Sequence, residues 1–424
     1  EMILRDWSSD VCSSDLTFCG IRLNIWENME YKRAQFQEIL SRINEPRSKI
    51  QVIVGPRQVG KSTLIGQVLE ECTLPFDSYS ADDVTGVSAD WLTQVWESQR
   101  MKMAVRGETK RLMVIDEIQK IRNWSETVKA EWDRDTREKR QLIVVLLGSS
   151  RMWIEKGLTE SLAGRFELIR LSHWTYTEMK DCFGWSLPQY VYFGGYPGAA
   201  QYIQNETRWR NYVKDALIDP SISKDVLMDT RIMKPQLLRQ LFEIGSSYSG
   251  ELLSLTKVAA QLQDAGNVTT LAGYLHLLDE CGLLCGLQKY AEDEARKYNS
   301  VPKFQVHNSA LRNVYADEDF SEVIEDAKLW GRYIESAVGA HLVSQAQIYD
   351  YKVYYWRDKK DEVDFVLVRR NKKVAIEVKS GRRTTNQGLA VFSQLYHPHK
   401  ALVVGSGGLP FEDFLSMDFN LLFK

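Results

Sequence analysis

Short apolar runs separated by helical periods dominate the first part of the chain, and the pattern then changes twice. The first run, Ile50 to Val54, opens "IQVIVGPRQVGKSTLIGQVLE" and passes through a glycine-containing loop into a helical pattern. "RLMVIDEIQ" and "QLIVVLLGSSR" contain two more runs of strand length. Uninterrupted apolar strands alternating with helices predict a parallel sheet covered on both faces. From about Ser172 to Thr230 the periodicity is helical. "PQLLRQLFEIGSS" then sets Leu237, Leu238, Leu241 and Phe242 at helical spacing, and "LSLTKVAAQL" is a second, short helix. Asn267 is placed to cap a third, "VTTLAGYLHLLDECGLL", with Leu271, Tyr274, Leu275 and Leu278 inward, and "LLCGLQKY" begins a strand pair. The last part predicts an amphipathic helix, "WGRYIESAVGAHLV", and three strands in "YKVYYWRD", "EVDFVLVRR" and "KVAIEVKSG". A helix, "NQGLAVFSQLY", and a strand, "KALVVGSGG", follow.

At 424 residues, two to four domains are expected, and a net charge of −3 leaves any nucleic-acid surface local. No apolar run approaches the ~20 residues of a membrane helix, and the first residues lack the basic start and apolar stretch of a secretory leader. Six cysteines without a C-x-x-C pair, with Cys281 and Cys285 on an apolar segment, indicate buried thiols in a reduced, cytoplasmic protein. No histidine pair has metal-helix spacing, so zinc is not expected, and His397 and His399 read as surface residues. "WSSDVCSSDL" (Trp7 to Leu16) back-translates to a common sequencing-library adapter, so residues 1–28 are set aside as a leader and those before about Ile21 as an assembly artefact.

The clearest chemical signal is Gly55-Pro56-Arg57-Gln58-Val59-Gly60-Lys61-Ser62-Thr63, between a strand and a helix. This is the phosphate-binding loop pattern in its required context. Backbone N–H groups point at phosphate oxygens, Lys61 supplies positive charge to the outer phosphates, and Ser62 offers a hydroxyl to Mg²⁺. The strand in "RLMVIDEIQ" ends in Asp116, a second Mg²⁺ ligand, and Glu117, which polarises the attacking water. Ser149 or Ser150, at the end of the third strand, is positioned to sense the outer phosphate. Arg165, after Gly164 in "ESLAGRFELIRL", is a candidate arginine finger or sensor, a role worth ~10³–10⁵ in rate where tested.

These pieces resemble the prokaryotic AAA-type ATPases that open "GPRxVGKST". The likeness continues through "VIDEIQKIRNW", "LLGSSR" and "YVYFGGYPGAA" (Tyr190 to Ala200), and covers the chain from about Tyr31 onward. It implies ATP and Mg²⁺ as cofactors, ATP hydrolysis as the activity, and a C-terminal domain of unclear function. One departure is Ser172-His173-Trp174, where such proteins often read Pro-Leu-Ser; no effect on chemistry is expected from it.

The expected architecture is α/β. An AAA-type ATPase core (29–171) and a helical lid packed on it (172–230) precede a winged-helix-like module (231–300). A C-terminal domain (301–424) completes it. The module's third helix has no Lys or Arg and carries Asp279 and Glu280, which argues for packing or protein contact rather than a DNA groove. In the last domain, Asp364 lies on one strand, Glu377 and Lys379 share a face of the next, and Glu335 lies on the preceding helix. Helix, hairpin, helix and strand with Asp…Glu-x-Lys resembles the PD-(D/E)XK nuclease fold. On that resemblance Glu335, Asp364 and Glu377 are Mg²⁺ ligands and Lys379 orients or deprotonates water. The basic run Arg369, Arg370, Lys372, Lys373, Arg382 and Arg383 is either a phosphate-backbone contact or a solvated turn. Two functions follow: an ATPase that couples nucleotide state to a metal- and DNA-binding, DNA-cleaving domain, or an ATP-dependent protein-interaction switch with a catalytically silent nuclease-like domain. A ring that remodels its target is a third option. It needs Arg165 to reach a neighbouring subunit, and the oligomeric state stays open.

Overall fold

The structure is a computed structural model and describes residues 31–82, 88–149, 158, 161–226, 232, 234–262, 267–293, 300–381 and 387–424. The leader, Ser150, Arg382 and Arg383 lie outside the described residues.

Five parallel strands form the first sheet: β1 (Ile50–Val54), β2 (Phe76–Ser80), β3 (Lys110–Asp116), β4 (Gln141–Gly148) and β5 (Phe166–Arg170), in the order β2-β3-β4-β1-β5. The two-residue period of a strand divides the core cleanly. Ile50, Val52, Val54, Leu142, Val144 and Leu146 enter one layer, with Trp96, Trp124 and Trp132. Ile53, Ile143, Val145 and Leu147 enter the other, with Leu64 and Val68 of the loop-following helix Lys61–Glu71. Each such side chain contributes roughly 1.5–3 kcal/mol by leaving water, so the sheet is fixed from both faces. That rigidity holds the carboxyl ends of β1, β3 and β4 at one edge.

The helical region after β5 does not pack as a lid with a core of its own. Trp185, Tyr192, Phe193 and Trp209 join a cluster that runs on to Phe423. Tyr192 stacks on Tyr333 of the long helix Ala327–Gln345, with ring centroids 5.9 Å apart. Arg210 donates to the carbonyls of Asn313, Val314 and Ala316. Among the described residues, the expected attachment to the nucleotide side is made at its start, described below. Aromatic bulk decides this: so many large rings need a deep core, and the C-terminal half supplies it.

Three helices follow, Pro235–Ser247, Leu255–Gln261 and Val268–Glu280, with the last capped by Asn267 through the amide of Thr270. They lead into an antiparallel pair, β6 (Leu284–Leu287) with β7 (Lys303–Val306). The second strand of this pair therefore lies beyond residue 300, and its register sets Leu287 opposite Lys303. The terminal sheet has the order β11-β10-β9-β8, from β8 (Lys352–Asp358), β9 (Asp361–Arg369), β10 (Lys372–Lys379) and β11 (Lys400–Gly405). β8, β9 and β10 are antiparallel, and β10 and β11 are parallel. The long helix is buried on nearly every side from Tyr333 to Val343, so it is a core helix rather than an amphipathic one. Among the described residues no helix is long and apolar enough to cross a membrane.

Candidate functional site: a phosphate-binding loop and a closed acid cluster

The loop between β1 and the helix Lys61–Glu71 brings the expected residues together. Gly55 lies so near β5 that a Cβ there would meet the Leu171 carbonyl oxygen at 2.5 Å. Its missing side chain thus serves sheet packing as much as ligand approach. Gln58 is exposed with φ 61°, Val59 is buried, and Thr63 is exposed on the helix's first turn. Arg57 is half-buried beside them. The Lys61 ammonium is folded back onto the loop, donating to the carbonyls of Gly55 (2.9 Å) and Pro56 (2.8 Å). These are bonds it can exchange for phosphate oxygens.

Ser62 Oγ donates to Asp116 Oδ2 at 2.7 Å, across the intervening β4. A hydroxyl and a carboxylate oxygen in contact beside a cationic lysine are a hard-oxygen pair that fits Mg²⁺. Bound there, the ion would neutralise charge on the transferring phosphoryl group. Glu117 adopts φ 53°, a left-handed conformation that costs a non-glycine residue about 1–2 kcal/mol. Its amide donates to Asp116 Oδ1 at 2.8 Å, and its carboxylate accepts from Ser149 Oγ (2.9 Å) and Gln119 Nε2 (2.6 Å). The turn aims Glu117 across the strand end, and two donors hold it. Both bonds fall on Oε2, which leaves Oε1 to polarise water. Gln119 escaped the sequence reading; the signal was an amide two residues after the glutamate, in a tight turn.

Arg165 is elsewhere. Its carbonyl accepts from Ile50 N at the start of β1, while the loop follows the end of that strand, about 13 Å away at ~3.3 Å per residue. Its guanidinium grips Asp133 with Nε–Oδ1 2.8 Å and Nη2–Oδ2 3.0 Å. As placed, the guanidinium is held by Asp133, and its residue lies at the opposite end of β1 from the loop. Arg170 lies at the carboxyl end of β5 opposite Val54, on the loop's side of the sheet.

Ser172-His173-Trp174 makes a set of structural contacts around the loop. Trp174 Nε1 donates to the Val59 carbonyl at 3.0 Å, and Arg33 donates to the same oxygen at 3.2 Å. Arg33 also pairs with Glu178 at 2.7 Å. His173 Nε2 bonds the Gly282 carbonyl at 3.0 Å, and Ser172 Oγ accepts from Gln345 Nε2 at 3.1 Å. Burial pushes His173 down to about 3, so the ring is neutral and donates there. Gly282 has φ +70°, and a Cβ on it would lie 3.0 Å from Pro56 Cγ. The tripeptide thus joins the phosphate loop to the turn after the acidic helix and to the long terminal helix.

In the terminal unit, Asp364 and Glu377 are neighbours across β9 and β10, one step beyond the Ile376–Phe365 pair. Asp364 Oδ2 accepts from Val378 N at 2.7 Å, and Lys379 bonds Glu377 Oε1. A fifth residue was not foreseen. Lys303, 1% exposed, reaches from β7 to Glu335 Oε1 (2.8 Å) and stands 3.9 Å from Asp364 Oδ1. Burial and the Glu335 carboxylate raise Asp364 well above the usual carboxylate range, with Lys303 acting against them. Burial opposes charge on Lys303, yet Glu335 and Asp364 together raise it above an ordinary lysine. Nothing in the pattern "SVPKFQV" announces a buried lysine, because a strand-edge lysine usually faces water. The basic run lies about 17 Å along β9 from Asp364, at ~3.4 Å per residue. Arg369 donates to Asn420 Oδ1 and Lys372 to the Phe423 carbonyl, so both hold the chain's own C-terminal segment.

Residues 47–180 match the family model described as AAA domain. The N-terminal unit has an AAA-type P-loop core. Residues 184–321 and 330–414 match two families described only as domains of unknown function, DUF8612 and DUF4143. An uncharacterized protein of Mycobacterium tuberculosis is 26% identical over 343 residues, covering 78% of this chain and 70% of its own length. One from Methanocaldococcus jannaschii is 21% identical over 350 residues, covering 77% and 74%. Among solved structures, the Thermotoga maritima RuvB Holliday junction branch migration motor aligns with TM-score 0.33 and 17% identity, covering 61% of this chain and 93% of its own. The Aeropyrum pernix Orc1 protein in complex with DNA aligns with TM-score 0.30 and 12% identity, covering 72% and 95%. Superpositions this loose bear on neither architecture nor function.

Proposed function

We propose that the chain is an ATP-dependent interaction switch. ATP and Mg²⁺ bind at Gly55–Thr63 and Asp116, and Glu117, held through Oε2 by Ser149 and Gln119, orients the attacking water through Oε1. The movement passes from Pro56 and Val59 through His173, Trp174 and Gly282 to a winged-helix-like module and a PD-(D/E)XK-nuclease-like terminal unit. That unit is a catalytically silent scaffold presenting a surface to a protein partner. One observation carries this reading: the Lys303 ammonium fills the space between Glu335 and Asp364 where a metal-dependent nuclease would need its cation. The third helix of the module, without a Lys or Arg and ending in Asp279 and Glu280, supports a protein partner over DNA.

A second reading, a metal-dependent nuclease gated by ATP, draws on the adjacency of Asp364, Glu377 and Lys379. The test is cleavage of linear, supercoiled and branched DNA with Mg²⁺ or Mn²⁺, with and without ATP, alongside partial proteolysis in ATP and ADP. The switch predicts intact DNA and nucleotide-dependent proteolysis. Cleavage abolished by Asp364→Ala would replace it with the nuclease.

A further inference from the structure

Away from both acid sites, one set of unlike donors converges. Asp279 from the end of the helix Val268–Glu280, Cys285 from β6 and His307 from just after β7 bring their ligand atoms within 4.8 Å of one another. Among the described residues it is the group of histidine, cysteine and acidic side chains that does so. His307 Nε2 lies 2.8 Å from Asp279 Oδ1, and the Cys285 thiol donates to the Gln305 carbonyl at 3.3 Å. An Asp–His bond beside a buried thiol would account for these contacts alone. It would not account for the space: all three residues line a cavity of about 400 Å³ that reaches Gln347 and Lys352.

We infer that Asp279, Cys285 and His307 form a binding site for a soft divalent cation of the zinc class. Thiolate and imidazole are the donors that select Zn²⁺ over Mg²⁺ or Ca²⁺, and Zn²⁺ also accepts a carboxylate oxygen. Two anionic ligands balance its charge, and the cavity gives an entry path and room for a water as fourth ligand. Binding replaces the Cys285 S–H bond by a sulfur–metal bond and releases that proton to solvent. His307 gives up the Nε2–H that it donates to Asp279, takes a proton at Nδ1 through solvent, and offers the freed Nε2 lone pair to the ion. Sequence spacing hid the site, because its donors come from three elements and form no local motif. The ion would fasten the turn containing Gly282, which bears on Pro56 of the phosphate loop. The inference is independent of whether the terminal unit cuts DNA.

The test uses the full chain, stripped with chelator and titrated with Co²⁺, then Zn²⁺. The expected result is one equivalent of Co²⁺, a thiolate-to-cobalt charge-transfer band, and its displacement by Zn²⁺. Cys285→Ser and His307→Gln should abolish the band. Asp279→Asn, which keeps shape and a hydrogen-bond acceptor, should weaken binding by at least the ~10–100-fold that loss of an outer-shell partner costs. Cys72→Ser, at a half-buried thiol on another element, should leave the band unchanged, and circular dichroism of each variant separates ligand loss from misfolding. No stoichiometric thiolate band in the wild type, or the same band in folded Cys285→Ser, overturns the site.

Discussion

Replacing Lys303 by methionine should destabilise the terminal unit and simultaneously open it to metal. The lysine is 1% exposed, and the side chains of its two partners, Glu335 and Asp364, are 30% and 14% exposed. Removing one partner of a buried pair costs about 3–5 kcal/mol. The lower end applies, because Glu335 retains some water and Asp364 can take up a proton. Taken as about 3 kcal/mol, the loss lowers the melting temperature of the C-terminal transition by roughly 6–12 °C, at ~2–4 °C per kcal/mol for a unit of 150–250 residues. The pH dependence has a definite sign. Asp364 is raised above its unfolded value of 3.8. Its folded form therefore holds a proton that the unfolded form releases, and stability from this group falls as pH rises. Without Lys303 that slope steepens, so Lys303→Met should recover stability toward acid pH. Three carboxylates balanced by Lys379 alone should also bind Mn²⁺. At 100 times its dissociation constant the ion would restore about 2.7 kcal/mol. The assay is thermal melting without nucleotide, in Mn²⁺ and in chelator, from pH 5 to 8. Wild-type stability in the variant, or equal Mn²⁺ stabilisation of both proteins, would refute the claim that Lys303 closes the cluster.

Other consequences follow from the same geometry. Arg165→Ala removes a half-exposed ion pair with Asp133, so stability should change by no more than about 1 kcal/mol. Hydrolysis by dilute protein should persist, and a rate that fell only on assembly would reveal a role across a subunit boundary. Glu117→Gln should slow ATP hydrolysis by roughly 10²–10⁴ with nucleotide affinity retained, checked by phosphate release and calorimetry. Trp174→Phe removes a donor to the Val59 carbonyl and should cost on the order of 1 kcal/mol, read as weaker ATP binding as well as a lower melting temperature. Burial alone pushes His341 down to about 4 from 6.5. Stability from its neutral ring is complete above 6.5 and shrinks by ~1.4 kcal/mol per pH unit below it, and His341→Gln should flatten that fall in acid denaturation.

The nucleotide half was legible because its chemistry is local. Strand, loop and helix are consecutive, and Asp116 and Glu117 end a strand whose apolar run is unmistakable. The inward face of the helix Val268–Glu280 and its Asn267 cap were readable for the same reason. Arg165 illustrates the limit: a glycine–arginine pair at a strand start looks like a functional arginine until the parallel register sets it at the far edge. The attachment of the helical region could not be read, since periodicity tells which face is buried and not against what. Lys303 and the group of Asp279, Cys285 and His307 depend on contacts between distant segments. Their residues carry no spacing signal of their own.

The central claim is that nucleotide state reaches the terminal unit through the seam at His173, Trp174 and Gly282. Hydrogen–deuterium exchange of the full chain with a non-hydrolysable ATP analogue and with ADP, both with Mg²⁺, tests it most directly. The account predicts nucleotide-dependent protection in residues 279–286 and in the long helix Ala327–Gln345, lost in Lys61→Ala. Changes confined to the phosphate loop and residues 116–119 would contradict it.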